Sequence, residues 1–277
     1  MRLIDSHCHL NAERFTGDEP AVLERAREAG LERVLVPGWN PTSCERAMEL
    51  VAEHPSLDGA VGVHPHDAAK VDAAQWARIA HLALDDRVPA IGETGLDYDR
   101  VFSPIPDQLD NLRRNLALAL ETGKPAILHV RSANGRSDAQ DAIVDELERA
   151  GFGAQAAASA FGPTRPPALI HSFSGSVDYA RRVLDLGLAI SISGLAFRKG
   201  EESTAAVVPI VPADRLLVET DSPFLSPPGA PNGRNEPGFV GITCAWVAEQ
   251  RAAAGSPWAD GDLVAAYDAT FRSRPKP

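Results

Sequence analysis

The sequence is poor in cysteine, with only Cys8, Cys44 and Cys244, which are widely separated and odd in number. These features argue against a disulfide framework, and the absence of any CxxC pair removes a common structural zinc motif. Nor does any stretch approach the roughly 20 apolar residues that a membrane-spanning helix requires. The sequence therefore predicts neither a disulfide-stabilised module nor a membrane protein.

Basic residues are also scarce, because 27 lysines and arginines stand against 38 aspartates and glutamates and leave a net charge of -11. Such a charge opposes nonspecific adhesion to nucleic acid or to anionic membranes, so any phosphate-bearing substrate must be held by a few local side chains. The N-terminal residues 1–5 become polar too early for a signal peptide. We therefore expect a cytoplasmic protein, and we predict no protein partner.

What is present is a regular alternation of short apolar runs with amphipathic segments. Eight apolar runs are candidate strands: 3–4, 33–36, 60–63, 90–91, 126–130, 168–170, 188–192 and 216–218. Between most of them, apolar residues recur at helical spacing, as in Leu109, Leu112, Leu116 and Leu120 before Gly123. Strands separated by helices favour parallel pairing through right-handed crossovers.

Eight such units predict an α/β fold of the TIM (β/α)8 barrel type, organised as a single domain over residues 1–277. An open doubly wound sheet is expected to carry a glycine-rich phosphate loop after its first strand, but that strand ends in the polar segment 5–9. Residues 151–167 are predicted to be a loop insertion, and residues 272–277 a flexible tail. Because the insertion precedes strand 6, it should lie at the bottom of the barrel, where it leaves catalysis unaffected.

Most apolar runs end in side chains that bind metal ions or handle protons, at the end of the barrel where such enzymes place their active sites. His7 and His9 are two residues apart on strand 1, so both point to the same face and can enter the barrel mouth. A His-x-His pair alone is more often incidental than a site. Glu93, however, follows an apolar strand directly, where a carboxylate is costly to bury without a cation.

His129, His171 and Asp221 end strands 5, 6 and 8 in the same manner. Closure of the barrel brings strand 8 next to strand 1, and hence Asp221 near the His-x-His pair. Six donors exceed the needs of one tetrahedral ion, which favours two divalent ions with Glu93 as the natural bridging ligand. Histidine-rich ligation favours zinc or manganese over magnesium, and the ion stays open among Mg²⁺, Mn²⁺ and Zn²⁺.

These residues lie within motifs that follow one another between positions 5 and 237. The motifs are Asp5-Ser6-His7-Cys8-His9, Gly62-Val63-His64-Pro65-His66, residues 92–98, Leu128-His129-Val130-Arg131, His171-Ser172-Phe173-Ser174-Gly175, Glu219-Thr220-Asp221-Ser222-Pro223 and Arg234-Asn235-Glu236-Pro237. With them the sequence resembles the TatD family of metal-dependent deoxyribonucleases, within the amidohydrolase-like barrels. Ser172 departs from the cysteine that the family commonly has at this point, a change that leaves the neighbouring ligand His171 intact.

The resemblance implies a division of the ligands between two ions. One ion would be held by His7, His9, Glu93 and Asp221, and the other by Glu93, His129 and His171. It also implies a hydrolase that cleaves phosphodiester bonds in DNA from the 3′ end with a water activated by the metal ions. Glu93 and Asp221 are then the expected catalytic residues, with Asp221 both binding an ion and accepting a proton.

Basic residues near the predicted mouth are candidates for holding phosphate. Arg131 follows strand 5 and Arg234 lies in the long loop after strand 8, and both also fall in the family motifs. Arg198 and Lys199 are equally well explained as solvated surface charges. His64 ends strand 3 and is expected to contact substrate rather than to bind an ion, so it joins Arg131 and Arg234 in the predicted substrate site.

Two other functions stay open from the residues alone. The same ligands can polarise a carbonyl, as in an amidohydrolase or lactonase acting on a small uncharged molecule, and the net charge of -11 lends this alternative some support. A noncatalytic binding module stabilised by its ions is the second. The orientation of Arg131 and Arg234 discriminates the first alternative from a phosphodiesterase, which needs basic side chains facing the ions.

Overall fold

Eight parallel strands form one sheet in chain order, each paired with the next along the chain. The computed structural model describes residues 2–153, 155–231 and 234–272. The strands in this part of the chain are β1 (Leu3–Asp5), β2 (Leu31–Pro37), β3 (Leu57–Val61), β4 (Ala90–Asp97), β5 (Ala126–Arg131), β6 (Ala168–Ile170), β7 (Ala189–Ile192) and β8 (Leu216–Val218). Each apolar run of the sequence overlaps one of them, and the predicted TIM (β/α)8 barrel is confirmed.

Helices surround the barrel and begin and end at residues that suit those positions. They are α1 (Glu19–Glu28), α2 (Pro41–Glu53), α3 (Ala73–Leu82), α4 (Ile105–Thr122), α5 (Asp138–Arg149), α6 (Gln155–Phe161), α7 (Val177–Asp185), α8 (Thr204–Val207), α9 (Val240–Ala253) and α10 (Asp262–Tyr267). The Asn40 side chain caps α2 by accepting from the Ser43 amide at 3.0 Å. Gly123 ends α4 with a φ of 63°, a conformation that glycine adopts without a steric penalty. Among the described helices, none combines the length and the apolar character needed to cross a bilayer.

The barrel closes between the segments that follow β1 and β8. The Ser6 amide donates to the Val218 carbonyl at 3.1 Å, and the Asp221 amide donates to the His7 carbonyl at 2.9 Å. A further bond joins the His9 amide to the Ser222 carbonyl at 2.8 Å. The backbone itself therefore holds the His-x-His segment beside Asp221, as predicted from barrel closure.

The interior is apolar below the mouth of the barrel. Ile91, Ile127 and Leu169 on three consecutive strands are all fully buried, and Ile127 stands opposite Leu169 in the register of β5 and β6. Helices cover the outer face of the sheet, so both faces of each strand exclude water and favour apolar residues. Polar side chains are tolerated where the strands end, which is where the candidate ligands lie.

The interval 151–167 was expected to be a loop, and the structure corrects this because α6 lies within it. Four alanines among residues 155–161 give this stretch a high helix propensity, which outweighs the glycines and prolines that flank it. Phe161 is buried against Phe152, with 5.9 Å between the ring centroids. The buried Arg165 donates to the carbonyls of Gly123 and Thr270, each at 2.9 Å. Gly123 precedes β5, so the insertion lies at the bottom of the barrel.

The predicted tail is described only at its first residue. Arg272 ends a helical turn over Asp268–Arg272, and its Nη1 lies 3.2 Å from an Asp58 carboxylate oxygen. Residues 273–277 lie outside the described residues. Flexibility of the tail, like the extent of the single domain over 1–277, stays a prediction.

Gly95 is required where β4 and β5 approach each other beside His129. Its φ is 138°, and a Cβ added there would collide with the His129 carbonyl oxygen. We expect Gly95→Ala to lower the free energy of unfolding by about 3 kcal/mol or more, because backbone cannot yield as a flexible side chain does. Denaturant unfolding of the purified variant measures this loss.

Gly30→Ala is the matched control for that substitution. Gly30 also has a positive φ, 87°, but an added Cβ would meet no described atom within 4 Å. The control should therefore lose only the roughly 1 kcal/mol of left-handed backbone strain. Equal losses in the two variants would contradict the role given to the contact with His129.

Candidate metal centre

All six predicted ligands converge at the carboxyl ends of the strands, as the sequence indicated. We call them the ligand cluster: His7, His9, Glu93, His129, His171 and Asp221. His7 and His9 follow β1, Asp221 follows β8, and Glu93 and His129 lie within β4 and β5. His171 directly follows β6. The barrel thus collects on one side residues that are up to 214 positions apart, as are His7 and Asp221.

Glu93 occupies the centre of the ligand cluster. Its Oε2 lies 3.3 Å from His7 Nε2 and 3.4 Å from His9 Nε2. Its Oε1 lies 3.0 Å from His171 Nε2 and 3.2 Å from His129 Nδ1. Within the ligand cluster each carboxylate oxygen therefore faces a different pair of imidazoles, an arrangement that suits a carboxylate able to bridge two ions.

The remaining distances test whether the residues fit divalent cations. Asp221 Oδ1 lies 3.4 Å from His9 Nε2 and 3.8 Å from His7 Nε2. The donor atoms of His7, His9 and Asp221 all lie within 4.8 Å of one another, as do those of His7, Glu93 and His171. His7 Nε2 and His9 Nε2 approach to 3.2 Å, although both rings are buried. Imidazole and carboxylate donors gathered in this way fit Zn²⁺ and Mn²⁺, and the carboxylates also suit Mg²⁺.

The charges of the cluster shift its pKa values strongly. Burial raises the pKa of Glu93, but the surrounding His171, His64 and His7 more than offset burial and hold it well below its ordinary value. Burial also lowers the pKa of His171, but the charges of Glu93 and Glu219 outweigh burial, so that pKa lies well above its ordinary value. Glu93 is therefore an anion that favours protonation of the imidazoles beside it, and a bound metal cation would replace those protons.

This proton competition predicts that metal affinity rises with pH. Burial disfavours protonation of His9 and His129, but nearby carboxylates outweigh it and raise both pKa values, as they do for His171. An arriving ion must displace these protons, so affinity for Mn²⁺ should increase up to about tenfold per pH unit for each proton released. Calorimetric titration of chelator-stripped protein, in buffers of different ionisation enthalpy at pH 6.5 and 7.5, counts the protons. Affinity that is independent of pH, with no proton release, would contradict this expectation.

His64 lies against the ligand cluster, and its hydrogen bonds indicate its tautomer. The His66 amide donates to His64 Nδ1 at 3.1 Å, so a neutral His64 carries its proton on Nε2. That Nε2 lies 3.3 Å from Glu93 Oε1 and donates to it. Burial lowers the pKa of His64 to about 4, which keeps the ring neutral at pH 7. In this tautomer His64 is a hydrogen-bond donor in the cavity, although the donor atoms of His64, His66 and His129 also lie within 4.8 Å of one another and could hold a metal ion.

Two carboxylates that orient the ligands were missed from the sequence. Asp97 is fully buried, and its Oδ2 lies 2.7 Å from His66 Nε2 and 3.3 Å from His129 Nε2. Glu219 Oε1 accepts from His171 Nδ1 at 3.1 Å. Asp97 contacts one ring nitrogen of His129 and Glu219 contacts one of His171, so the other nitrogen of each ring faces Glu93. Carboxylates commonly orient metal-binding histidines in this way.

A signal for these two carboxylates was present in the sequence. Asp97 lies four residues beyond Glu93 on β4, and Glu219 lies two residues before Asp221. Residues separated by two or four positions in extended backbone share a face, so both carboxylates could have been placed near the cluster by the argument that joined His7 to His9.

A cavity of about 740 Å³ opens above the ligand cluster, and Arg131, Arg198 and Lys199 lie on its rim. Arg131 Nε donates to an Asp99 carboxylate oxygen at 2.8 Å. His64 also lines this cavity. Of the predicted substrate residues, the structure thus brings His64 and Arg131 to the metal centre.

Arg234 does not reach the cavity, which corrects its assignment as a phosphate-binding residue. It donates to the Arg14 carbonyl at 2.6 Å and to Glu236 Oε1 at 2.9 Å, and it pairs with Asp18. Its guanidinium stacks on the Phe15 ring at 4.5 Å. The chain after β8 passes over the segment that precedes α1, so Arg234 fastens these two segments together.

Comparison with known proteins agrees with this geometry. The sequence profile described as TatD related DNase matches residues 4–259. The uncharacterized metal-dependent hydrolase YabD of Bacillus subtilis is 36% identical over 247 residues, covering 89% of this chain and 90% of that protein. The 3′-5′ ssDNA/RNA exonuclease TatD of Edwardsiella piscicida is 36% identical over 244 residues, covering 86% of this chain and 87% of that protein.

A solved structure extends the similarity to the fold. The TatD homologue YJJV of Escherichia coli has a TM-score of 0.82 at 28% identity, with 98% of both chains covered. The matched residues 4–259 of the family profile span the positions of all six members of the ligand cluster. This protein therefore belongs to the TatD related DNase family and is a metal-dependent hydrolase.

Proposed function

We propose that this protein is a nuclease that uses two divalent ions to hydrolyse phosphodiester bonds, removing nucleotides from the 3′ end of single-stranded DNA or RNA. The observation that carries the proposal is the position of Glu93 between two pairs of imidazoles of the ligand cluster, on the floor of a cavity whose lining includes Arg131, Arg198 and Lys199. The name of the Edwardsiella piscicida relative, a 3′-5′ ssDNA/RNA exonuclease, supports the substrate class and polarity.

We assign the donors to two ions by the oxygens of Glu93 that they face. His7, His9, Glu93 and Asp221 would hold the first ion, and Glu93, His129 and His171 the second. Bound there, the ions would supply positive charge that stabilises the charge developing at phosphorus and promotes ionisation of water. The protein contributes the rigid placement of these donors through Asp97 and Glu219.

Asp221 is placed to accept the proton of the attacking water. Its side chain is 13% exposed, whereas that of Glu93 is 3% exposed, so Asp221 is the more open to the cavity. Burial raises the pKa of Asp221, but the hydrogen bond and the charge of His9 outweigh burial and hold it below its ordinary value. Asp221 is therefore ionised at neutral pH and available as an acceptor.

His64 and Arg131 provide hydrogen bonds for the substrate. The neutral His64 can turn its Nε2 proton from Glu93 to a phosphoryl oxygen. The bond from Arg131 to Asp99 uses one of the five N–H donors of the guanidinium, which leaves other donors for phosphate. Arg198 and Lys199, on the same rim, add positive charge to a protein whose net charge is -11.

Arg131 and Arg234 should respond differently to truncation. Arg131→Ala should raise KM for an oligonucleotide about tenfold, because a charge-assisted hydrogen bond to phosphate is lost. Arg234→Ala should leave KM unchanged and lower the free energy of unfolding by about 1–2 kcal/mol through loss of its contacts with Phe15 and Glu236. Steady-state kinetics and denaturant unfolding of both variants separate the two roles. A KM effect in Arg234→Ala alone would reverse our assignment.

The proposed function is tested with chelator-stripped protein to which Mg²⁺, Mn²⁺ or Zn²⁺ is added. The substrates are end-labelled single-stranded DNA and RNA, a generic phosphodiester, and a set of amides and lactones. We expect metal-dependent shortening of the oligonucleotides from the 3′ end, and slower turnover of the amides and lactones. Faster cleavage of an amide or lactone would favour the alternative of a small-molecule hydrolase, which the similarity to a named exonuclease does not favour.

A further inference from the structure

Two aromatic side chains form one wall of the cavity beside the ligand cluster, and we call Trp39 and Phe224 the aromatic wall. The ring centroid of Trp39 lies 5.2 Å from that of His9, and the centroid of Phe224 lies 6.0 Å from it. Both rings stand nearly perpendicular to His9, at 80° and 72°. Both line the cavity, and the phosphodiester chemistry assigns neither of them a role.

Phe224 is exposed although its backbone is held firmly. Its side chain is 52% exposed, an unfavourable position for a phenyl ring in water. The Phe224 amide donates to the Asp221 carbonyl at 2.9 Å, and the Phe224 carbonyl accepts from Asn235 Nδ2 at 2.6 Å. The exposure is thus built into the turn that also carries the ligand Asp221.

The aromatic wall and Arg131 lie on different sides of the cavity, whereas Arg198, which donates to the Ser226 carbonyl at 3.5 Å, lies on the Phe224 side. Trp39 follows β2 and Phe224 follows β8, so they flank β1, whereas Arg131 ends β5 on the far side of the eight-stranded barrel. A ligand above the ligand cluster therefore meets flat apolar surface on one side and the guanidinium of Arg131 on the other. A nucleotide has this combination, because its phosphates are anionic and its base is a flat aromatic ring.

We infer that the aromatic wall receives the base of the nucleotide adjoining the scissile phosphate, with Phe224 as a specificity-determining residue that stacks on it. This inference rests on the proposed nuclease function and extends it. A base in a duplex is already stacked and paired, and reaching an aromatic side chain would require unpairing it. The wall accordingly favours single-stranded ends and accepts any of the bases, since each presents an aromatic face.

The test compares two single-stranded oligonucleotides that differ only in their 3′-terminal nucleotides, which carry bases in one and tetrahydrofuran abasic residues in the other. We expect Phe224→Ala to raise KM about tenfold for the oligonucleotide with bases and to leave KM for the abasic one unchanged. Phe224→Trp should retain the normal KM, and Phe224→Leu, which is apolar but not flat, should not. Leu84→Ala removes another exposed apolar side chain, 67% exposed and preceding β4 at the bottom of the barrel, and serves as the control.

The outcomes for Phe224→Ala separate the inference from the proposed function. An equal rise in KM for both oligonucleotides would show that Phe224 orders the loop of Asp221, and no rise for either would show that the base lies elsewhere. Both results overturn the stacking role of Phe224. Cleavage of the oligonucleotide by the wild-type protein would still support the proposed nuclease function. Failure of the wild type to cleave either oligonucleotide overturns the proposed function and the inference together.

Discussion

Replacing Glu93 with glutamine is expected to lower kcat/KM by at least about 1000-fold. The substitution keeps the size of the side chain but places an amide nitrogen, a hydrogen-bond donor, where one of the two oxygens that we propose to bridge the ions stood. Loss of the bridge removes several kcal/mol of transition-state stabilisation, and each 1.36 kcal/mol corresponds to a factor of ten. Kinetics with an oligonucleotide and metal analysis of the purified variant should show low activity and fewer bound ions.

Glu219→Gln provides the matched control for Glu93→Gln. Glu219 is equally buried, but it contacts His171 from behind rather than facing the cavity. Substituting such an orienting residue typically costs about 10–100-fold in activity or metal affinity, which is a smaller effect than we expect for Glu93. If Glu93→Gln retains two ions and near-normal kcat, Glu93 is not the bridging ligand.

Asp221→Asn is expected to reduce kcat by about 100-fold or more while most of the bound metal is retained. Asparagine keeps one carbonyl oxygen for the ion but cannot accept a proton as an ionised carboxylate does. General-base catalysis typically contributes about 10²–10⁴-fold, so the loss should fall on kcat more than on metal affinity. Parallel measurements of turnover and metal content distinguish this pattern from that of Glu93→Gln.

Glu201→Gln is a suitable comparison for Asp221→Asn. Glu201 lines the same cavity, but its carboxylate accepts from Ser174 Oγ at 2.9 Å, away from the ligand cluster. Its substitution should change kcat by no more than a few-fold. Unchanged turnover of Asp221→Asn with its metals in place would remove Asp221 from the mechanism.

The strands and the ligand cluster were predictable from the sequence because burial and strand geometry act over short distances. Each strand is covered on both faces, so it appears as an apolar run, and its carboxyl end appears as an abrupt change to polar residues. Barrel closure then placed Asp221 beside His7, and the closing hydrogen bonds confirm that step. The same alternation of side chains that paired His7 with His9 would also have identified Asp97, four residues beyond Glu93, and Glu219, two residues before Asp221.

Two predictions failed because long-range packing decided them. Arg234 belongs to a motif near the predicted mouth, but the course of the loop after β8 directs its guanidinium to Phe15 and Glu236. The interval 151–167 contains glycines and prolines, which disfavour a helix, beside alanines, which favour one. Burial of Phe161 against Phe152 stabilises the helix within it. In both cases the deciding partner lies outside the local pattern.

By itself the sequence determined the barrel, the six members of the ligand cluster and the central position of Glu93, because strand periodicity and barrel topology together specify which side chains meet. Only the tertiary structure decided which basic side chains face the cavity, which ring nitrogen of His64 carries the proton, and that Phe224 stands exposed beside His9. These properties depend on loop paths and on side-chain contacts between segments far apart in the chain. No periodic pattern encodes them, since a long loop of given composition can pass over many surfaces.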